Sequence, residues 1–167
     1  MDAVILLNKP AGMTSFDAVA KCRRIFHERK IGHTGTLDPE ASGLMIILLG
    51  KYTKLLPYCV KNHKAYQATL KLGEMTDTED IWGTIINTKT PSIHTEAEID
   101  NAVQSLTGDI LQVPPMYSAL KKDGKKLYEY ARQGIEIERE ARPVHISTLE
   151  VEKIDETNYR MNAVVSS

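Results

Sequence analysis

Gly32-His33-Thr34-Gly35-Thr36-Leu37-Asp38-Pro39-Glu40-Ala41-Ser42-Gly43 runs directly into Leu44-Met45-Ile46-Ile47-Leu48-Leu49. The second stretch is the most apolar run of the chain, closed by Gly50, and reads as a buried strand. The first is polar and full of turn formers, so a rigid core element delivers a loop that carries reactive side chains. Asp38 precedes Pro39, whose ring disfavours helical backbone at the residue before it and holds Asp38 extended. Gly32 and Gly35 permit turns or close approaches that a Cβ would block. A carboxylate presented in this way suits a nucleophile or a general base. It also suits a helix N-cap or an Asx-turn, and local chemistry alone favours that plainer role.

Upstream of the loop, Ala3–Leu7 reads as a short strand ended by Asn8 and Pro10. Thr14 or Ser15 caps a helix, with Asp17 placed near its positive end. Phe16, Val19, Ala20 and Phe26 make one apolar face of that helix, and Lys21, Arg23, Arg24 and Arg29 decorate the rest. Such a basic flank is a solvated surface or, leading as it does into Lys30 and the loop, a contact for phosphate.

Downstream, Thr53–Tyr58 reads as a helical turn, and Tyr66–Leu72 alternates as a half-buried strand does. Tyr66 falls with the apolar set, yet its place at the strand's start leaves its ring free to line the rim of a cleft. Thr76–Asp80 crowds Asp77, Glu79 and Asp80 together but lacks the glycine and closing glutamate of a calcium loop, so it reads as a solvated, capped loop. It re-enters a strand at Gly83–Lys89. Thr95 and Glu98 form a capping box for a helix carrying Ile99, Val103 and Leu106 and ended by Gly108. A strand over Tyr117–Lys121, a turn at Asp123-Gly124, a helix over Leu127–Gln133 and a strand pair at Val144–Ile154 and Tyr159–Val165 complete the chain. Lys121, Lys122, Lys125 and Lys126 surround the turn, with Tyr117, Tyr128 and Tyr130 nearby. That mixture offers looped RNA charge for its phosphates and rings for its bases, and it is equally the makeup of a solvated hairpin.

The 167 residues, 42% hydrophobic and 26% charged, fit one soluble globular domain with a sizeable core. The net charge of −1 gives no global pull toward nucleic acid, so RNA binding would need a local basic face. Cys22 and Cys59 have no CxxC spacing and fit a reducing cytosol. The histidines form no HxH or HExxH pattern, which argues against zinc. Ala3–Leu7 is too short for a signal peptide, and nothing reaches the length of a membrane span. A cytoplasmic α+β domain is expected, built on a mixed, mainly antiparallel sheet with flanking helices.

The run GHTGTLDPEASGL resembles the catalytic motif of TruB-type tRNA pseudouridine synthases. Leu7-Asn8-Lys9-Pro10-Ala11-Gly12-Met13-Thr14-Ser15 resembles the same family's first motif. Lys64-Ala65-Tyr66 with Leu72-Gly73-Glu74-Met75-Thr76-Asp77-Thr78-Glu79-Asp80 resembles the next. Val113-Pro114-Pro115-Met116-Tyr117-Ser118-Ala119-Leu120-Lys121 and Gly124-Lys125-Lys126-Leu127-Tyr128-Glu129 follow. These blocks stand in the family's order over almost the whole chain, which no single short motif could imitate.

The resemblance implies a pseudouridine synthase-like sheet crossed by a central active-site cleft. It implies isomerisation of a uridine in the T-loop of transfer RNA, with no cofactor and no metal, by a monomer. Asp38 matches the catalytic aspartate, acting at C1′ of the ribose, at C6 of the uracil or as a base. His33 matches a histidine near the flipped-out uridine, or is a turn histidine bonded to backbone. Tyr66 matches a tyrosine that stacks on the target base. Lys9, Lys121 and Lys122 are expected at phosphates, with Lys9-Pro10 also shaping the floor of the site. The family pairs its aspartate with an arginine on a strand that begins like Val164-Val165-Ser166-Ser167. On this reading residues 1–167 are a catalytic domain incomplete at its C-terminus, without the small RNA-binding domain of bacterial members. The competing expectations are an RNA-loop binding module without catalysis and, more remotely, a metal-dependent enzyme built on Asp77, Glu79 and Asp80.

Overall fold

In the computed structural model, which describes residues 1–59, 63–118 and 120–166, the apolar run forms the middle strand of a three-stranded sheet. The chain divides into two units, Met1–Asn62 and His63–Ser166.

The first unit comprises β1 (Ala3–Lys9), α1 (Ser15–Phe26), β2 (Ile31–His33) and β3 (Gly43–Leu49). A 3₁₀ turn over Gly50–Leu55 and a short α2 (Leu56–Cys59) follow. β3 pairs antiparallel with β1, from Ala3 opposite Leu49 to Lys9 opposite Gly43, and with β2, from Ile31 opposite Leu49 to His33 opposite Ile47. Met45, Ile47 and Leu49 alternate onto one face of β3 and meet Ala18, Val19 and Cys22 of α1. This is the core, and it lies directly beneath the loop that joins β2 to β3.

Three local expectations are corrected here. β1 runs on through Asn8 and Lys9, because both continue the pairing with β3. The buried stripe of α1 is Ser15, Ala18, Val19 and Cys22, whereas Phe16 is 68% exposed with the Arg23 guanidinium 5.9 Å over its ring. Small residues face the sheet because the helix lies close to it, and the aromatic ring is accommodated outside. Gly32 has an ordinary strand backbone and room for a Cβ; the glycine that is required is Gly50 (φ +59), where a Cβ would collide with Met1 and Asp2.

The second unit begins with β4 (Lys64–Lys71), a hairpin of β5 (Glu74–Thr76) and β6 (Ile85–Thr88), and α3 (Glu96–Leu106). There follow β7 (Gly108–Gln112), a hairpin of β8 (Lys121–Lys122) and β9 (Lys125–Lys126), and α4 (Leu127–Ala131). The strands β10 (Arg142–Lys153) and β11 (Asn158–Val165) complete it. Its main sheet has the order β4-β11-β10-β7, and every pairing among the described residues is antiparallel. The fold is α+β.

Thr95 and Glu98 form the expected capping box on α3. Asp123 (φ 52) and Gly124 (φ 81) are both left-handed, as a two-residue hairpin turn demands. The expected strand over Tyr117–Lys121 starts only at Lys121; Met116–Ser118 bends, and Ala119 lies outside the described residues. Its carbonyls serve a helix instead, with Leu127 N donating to Leu120 O and Tyr128 N to Ser118 O at the start of α4. β4 is an edge strand less buried than its alternation suggests, with Tyr66 and Leu70 43% and 41% exposed. No helix among the described residues is long and apolar enough to cross a membrane.

Candidate active site

The register of the first unit's sheet determines what gathers around Asp38. Lys9 ends β1 opposite Gly43, where β3 begins, whereas β2, on the other side of β3, ends with His33 opposite Ile47, four residues further along. The β2–β3 loop therefore rises beside the end of β1 and the start of α1. Thr34 N donates to Ile46 O and continues the ladder one step into the loop.

Asp38 itself is exposed. Its carbonyl accepts from Ala41 N at 3.1 Å, a turn with Pro39 and Glu40 at its centre. Among the described residues no hydrogen bond or ion pair engages its carboxylate. The N-cap and Asx-turn roles are thus not taken, because the side chain holds no backbone N–H. Thr14 caps α1, accepting from Asp17 N, while the Asp17 carboxylate accepts from Thr14 Oγ1 and Thr14 N, and those two bonds, the hydroxyl's first, hold the Asp17 carboxyl below its ordinary value.

The residues on either side of Asp38 are pinned. Ser15, 3% exposed, accepts from Leu37 N at 2.9 Å and donates to Leu37 O at 3.0 Å. On the far side Pro39 O accepts from Lys9 Nζ at 3.0 Å and from Gly12 N at 3.0 Å, with Gly12 at φ +81. Leu37 also packs against the core.

Lys9 departs most from expectation. It is fully buried, and its ammonium donates to Pro10 O, Met13 O and Pro39 O at 2.9, 2.8 and 3.0 Å. Those three bonds match the whole donor complement of the group, so Lys9 does not reach a phosphate. It ties the end of β1, the turn before α1 and the Asp38 loop into one knot. Burial without such partners would cost several kcal/mol (on the order of 3 or more).

His33 is half-buried, its Nδ1 2.8 Å from Gly35 O. A carbonyl only accepts, so Nδ1 carries the proton and donates, leaving Nε2 as the acceptor of the neutral ring. The turn-histidine bond is present and leaves that second nitrogen unspent.

Lys9 is therefore brought against the Asp38 turn, His33 stands where the same loop leaves β2, and Tyr66, Lys121 and Lys122 belong to the second unit. Tyr66 sits on β4 opposite Ala163 of β11. Lys121 and Lys122 are exposed on β8, where Lys122 Nζ donates to Glu138 O. The tyrosines of α4, next in the chain, carry cations at their rings: Lys126 Nζ and Arg132 each stand 5.2 Å from the Tyr128 ring centre, and Lys125 Nζ 5.8 Å from that of Tyr130. Their faces are partly spent on these cations rather than offered to bases.

The acids of the β5–β6 hairpin act as loop caps. Asp77 accepts from Thr84 N, and Asp80 accepts from Thr78 Oγ1 and Trp82 N. Among the described residues no group of three or more His, Cys, Asp or Glu side chains is placed to hold a metal ion. Ser15 and Gly12 were not singled out by sequence as part of the site. Ser15 looks like a helix cap, and its true partner is 22 residues away.

Comparison with known proteins follows the same lines. The chain matches the family described as TruB family pseudouridylate synthase (N terminal domain) over residues 23–167. It is 50% identical to tRNA pseudouridine synthase B of Clostridium perfringens strain SM101 over 167 residues, 99% of this chain and 57% of that relative. It is 52% identical to tRNA pseudouridine synthase B of Geobacillus thermodenitrificans strain NG80-2, covering 99% of this chain and 55% of the relative. The chain thus spans little more than half the length of these curated relatives. Among solved structures it is similar to a chain in the crystal structure of a Cbf5-Nop10-Gar1 complex (TM-score 0.70, 26% identity, 98% of this chain and 39% of that one). A chain from an H/ACA RNP bound to a substrate RNA containing 2′-deoxyuridine shares the fold at 23% identity (TM-score 0.66, 98% of this chain and 37% of that one).

Proposed function

We propose, from the premise that this chain belongs to the TruB family of pseudouridylate synthases, that Asp38 is the catalytic group of an enzyme converting a uridine in the T-loop of transfer RNA to pseudouridine. The observation that carries this reading is the state of Asp38: an exposed, unengaged carboxylate whose neighbours on both sides are fixed by buried polar side chains. The names of the relatives support the substrate. Fixing the backbone around a reactive group lowers the entropic cost of reaching the attack geometry.

The reaction breaks the glycosidic N1–C1′ bond, turns the uracil and joins C1′ to C5; the C5 hydrogen leaves as a proton and N1 takes one up, so substrate and product are isomers. No electrons are gained or lost overall, so the chemistry calls for no cofactor. Asp38 acts at C1′ or C6 as nucleophile, or as the base that assists the exchange. The base must first leave its stack, which costs a few kcal/mol. Tyr66, its ring 43% exposed, offers a surface for the extruded base, and Lys121 and Lys122 offer charge to the phosphates. His33, with Nε2 unspent, would bond the opened loop. The protein would work as a cytoplasmic monomer.

The test is release of tritium from C5 of a T-loop hairpin. The wild-type chain should release it, and Asp38→Asn, folded by circular dichroism, should be at least ~10³-fold slower, as loss of a covalent or general-base group implies. Undiminished release by the Asn variant would remove Asp38 from the chemistry. Salt-sensitive hairpin binding without release would favour the RNA-binding module over the enzyme.

A further inference from the structure

We propose that Ser15 is a positioning residue for Asp38, its hydroxyl fixing the peptide plane from which the catalytic carboxylate springs. The proposal rests on the reading of Asp38 given above. Leu37 O, to which Ser15 Oγ donates at 3.0 Å, belongs to the planar peptide unit joining Leu37 to Asp38. Leu37 N, from which the same oxygen accepts at 2.9 Å, belongs to the unit before. One hydroxyl therefore holds both planes around Leu37, much as a neighbouring strand residue would. Beyond Asp38 the ring of Pro39 restricts its own φ, and Pro39 O is held by Lys9 and Gly12. The backbone freedom that remains lies in the φ and ψ of Asp38, narrowed in turn by the proline that follows and by the bond from Ala41 N to Asp38 O.

The requirements of α1 do not account for this hydroxyl. Thr14 is the N-cap, and its reciprocal bonds with Asp17 complete the capping box. Ser15 is the first helical residue, 3% exposed, and gives both of its bonds to a segment 22 residues away. It is too deeply buried to touch RNA, so its effect on the reaction must pass through Asp38. Lys9 also pins the loop, but its removal would strand Pro10 O and Met13 O and confuse positioning with stability. Ser15 separates the two.

The test compares Ser15→Ala and Ser15→Cys, the latter a thiol of similar shape but weak as a donor, with the unaltered chain. On a T-loop hairpin kcat should fall roughly 10- to 100-fold in Ser15→Ala, with KM within about twofold and Ser15→Cys in between. Rates are taken per folded molecule. By NMR, amide exchange at Leu37 should quicken by about tenfold or more and the Asp38 amide signal should move, while the Thr34 amide, bonded to Ile46 O, keeps its protection. An unchanged kcat in the folded variants, or a loss confined to KM, overturns the proposal. Should the unaltered chain release no C5 hydrogen, the isomerase reading fails separately. The amides then decide: a shifted Asp38 signal with faster Leu37 exchange upholds the positioning role, and unchanged signals overturn it.

Discussion

The two units hold their candidate functional residues by opposite means. In the first, Asp38 is exposed while Lys9 and Ser15, which grip the backbone beside it, are almost wholly buried. In the second, Lys121, Lys122 and Tyr66 sit on exposed strands, and the tyrosines near the lysines are held by cations at the surface. On the proposed reading Asp38 makes and breaks bonds and must stand within a fraction of an ångström of its mark, which the burial of Lys9 and Ser15 serves. A group that attracts phosphate needs only charge and reach. Burial follows the same division: Met45, Ile47, Leu48 and Leu49 of β3 are at most 2% exposed, while the second unit's main sheet contributes only Tyr159 and Ala163 to the buried apolar residues.

The largest expected effect tests that contrast in stability. Ile47→Ala, at a position with no exposure, should cost about 2–5 kcal/mol in urea unfolding followed by circular dichroism. Leu70→Ala on the edge strand β4, 41% exposed, should cost under about 1 kcal/mol. Equal losses would erase the difference between the units.

Next come two lysines that sequence treats alike. Lys9→Met takes the donor from Pro10 O and Met13 O and leaves Pro39 O with Gly12 N alone, and should lose roughly 2–4 kcal/mol. Lys121→Met should change stability by no more than about 0.5 kcal/mol, yet reduce the salt dependence of hairpin binding by close to one counterion. If Lys9→Met proved as mild as Lys121→Met, Lys9 would not be the knot the geometry makes it.

Why sequence reading succeeds in some places and fails in others follows from the reach of each interaction. The capping boxes at Thr14/Asp17 and Thr95/Glu98 and the turn at Asp123-Gly124 are complete within a few residues, so local pattern reveals them. The β3 run announces itself because its apolar residues continue past the buried face of Met45, Ile47 and Leu49 onto the other face, where Leu48 is buried too although Leu44 is 63% exposed. Lys9 defeats the same approach: a lysine reads as solvated, and only the return of Pro39 from 30 residues on supplies the carbonyl that helps make burial tolerable. Ser15 and Leu37 are likewise joined by tertiary structure alone. Phe16 misleads because spacing defines two faces of α1, and nothing local says which one meets the sheet. Asp38 was legible as a loop carboxylate through its proline. What the local pattern does not reveal is that buried Lys9 and Ser15 grip the backbone beside it.

A smaller effect compares one motif across both units. Thr14→Ala and Thr95→Ala each remove the acceptor of a capping box and should each cost ~1 kcal/mol. Only Thr14→Ala should also slow C5 hydrogen release, because it loosens the helix start that carries Ser15. Slowing by Thr95→Ala to the same degree would show that turnover tracks general stability rather than the loop.

The smallest effect is a pH dependence in the second unit. The Asp155 carboxylate, in the turn between β10 and β11, accepts from Asn158 Nδ2, Thr157 N and Asn158 N, and these bonds lower its pKa from 3.8 to about 2. The side-chain bond from Asn158 contributes most. A folded pKa below the unfolded one means that the unfolded chain takes up its proton first as pH falls. The stabilisation is therefore complete above pH 3.8 and drains away toward pH 2. Asp155→Asn should melt below the unaltered chain at pH 5, and the gap in Tm should narrow as pH falls toward 2, close below it, and shrink with added salt, since the group is exposed. A gap that widened on acidification would reverse the sign and remove the hydrogen-bond explanation. An unchanging gap would assign the loss to turn geometry rather than to charge.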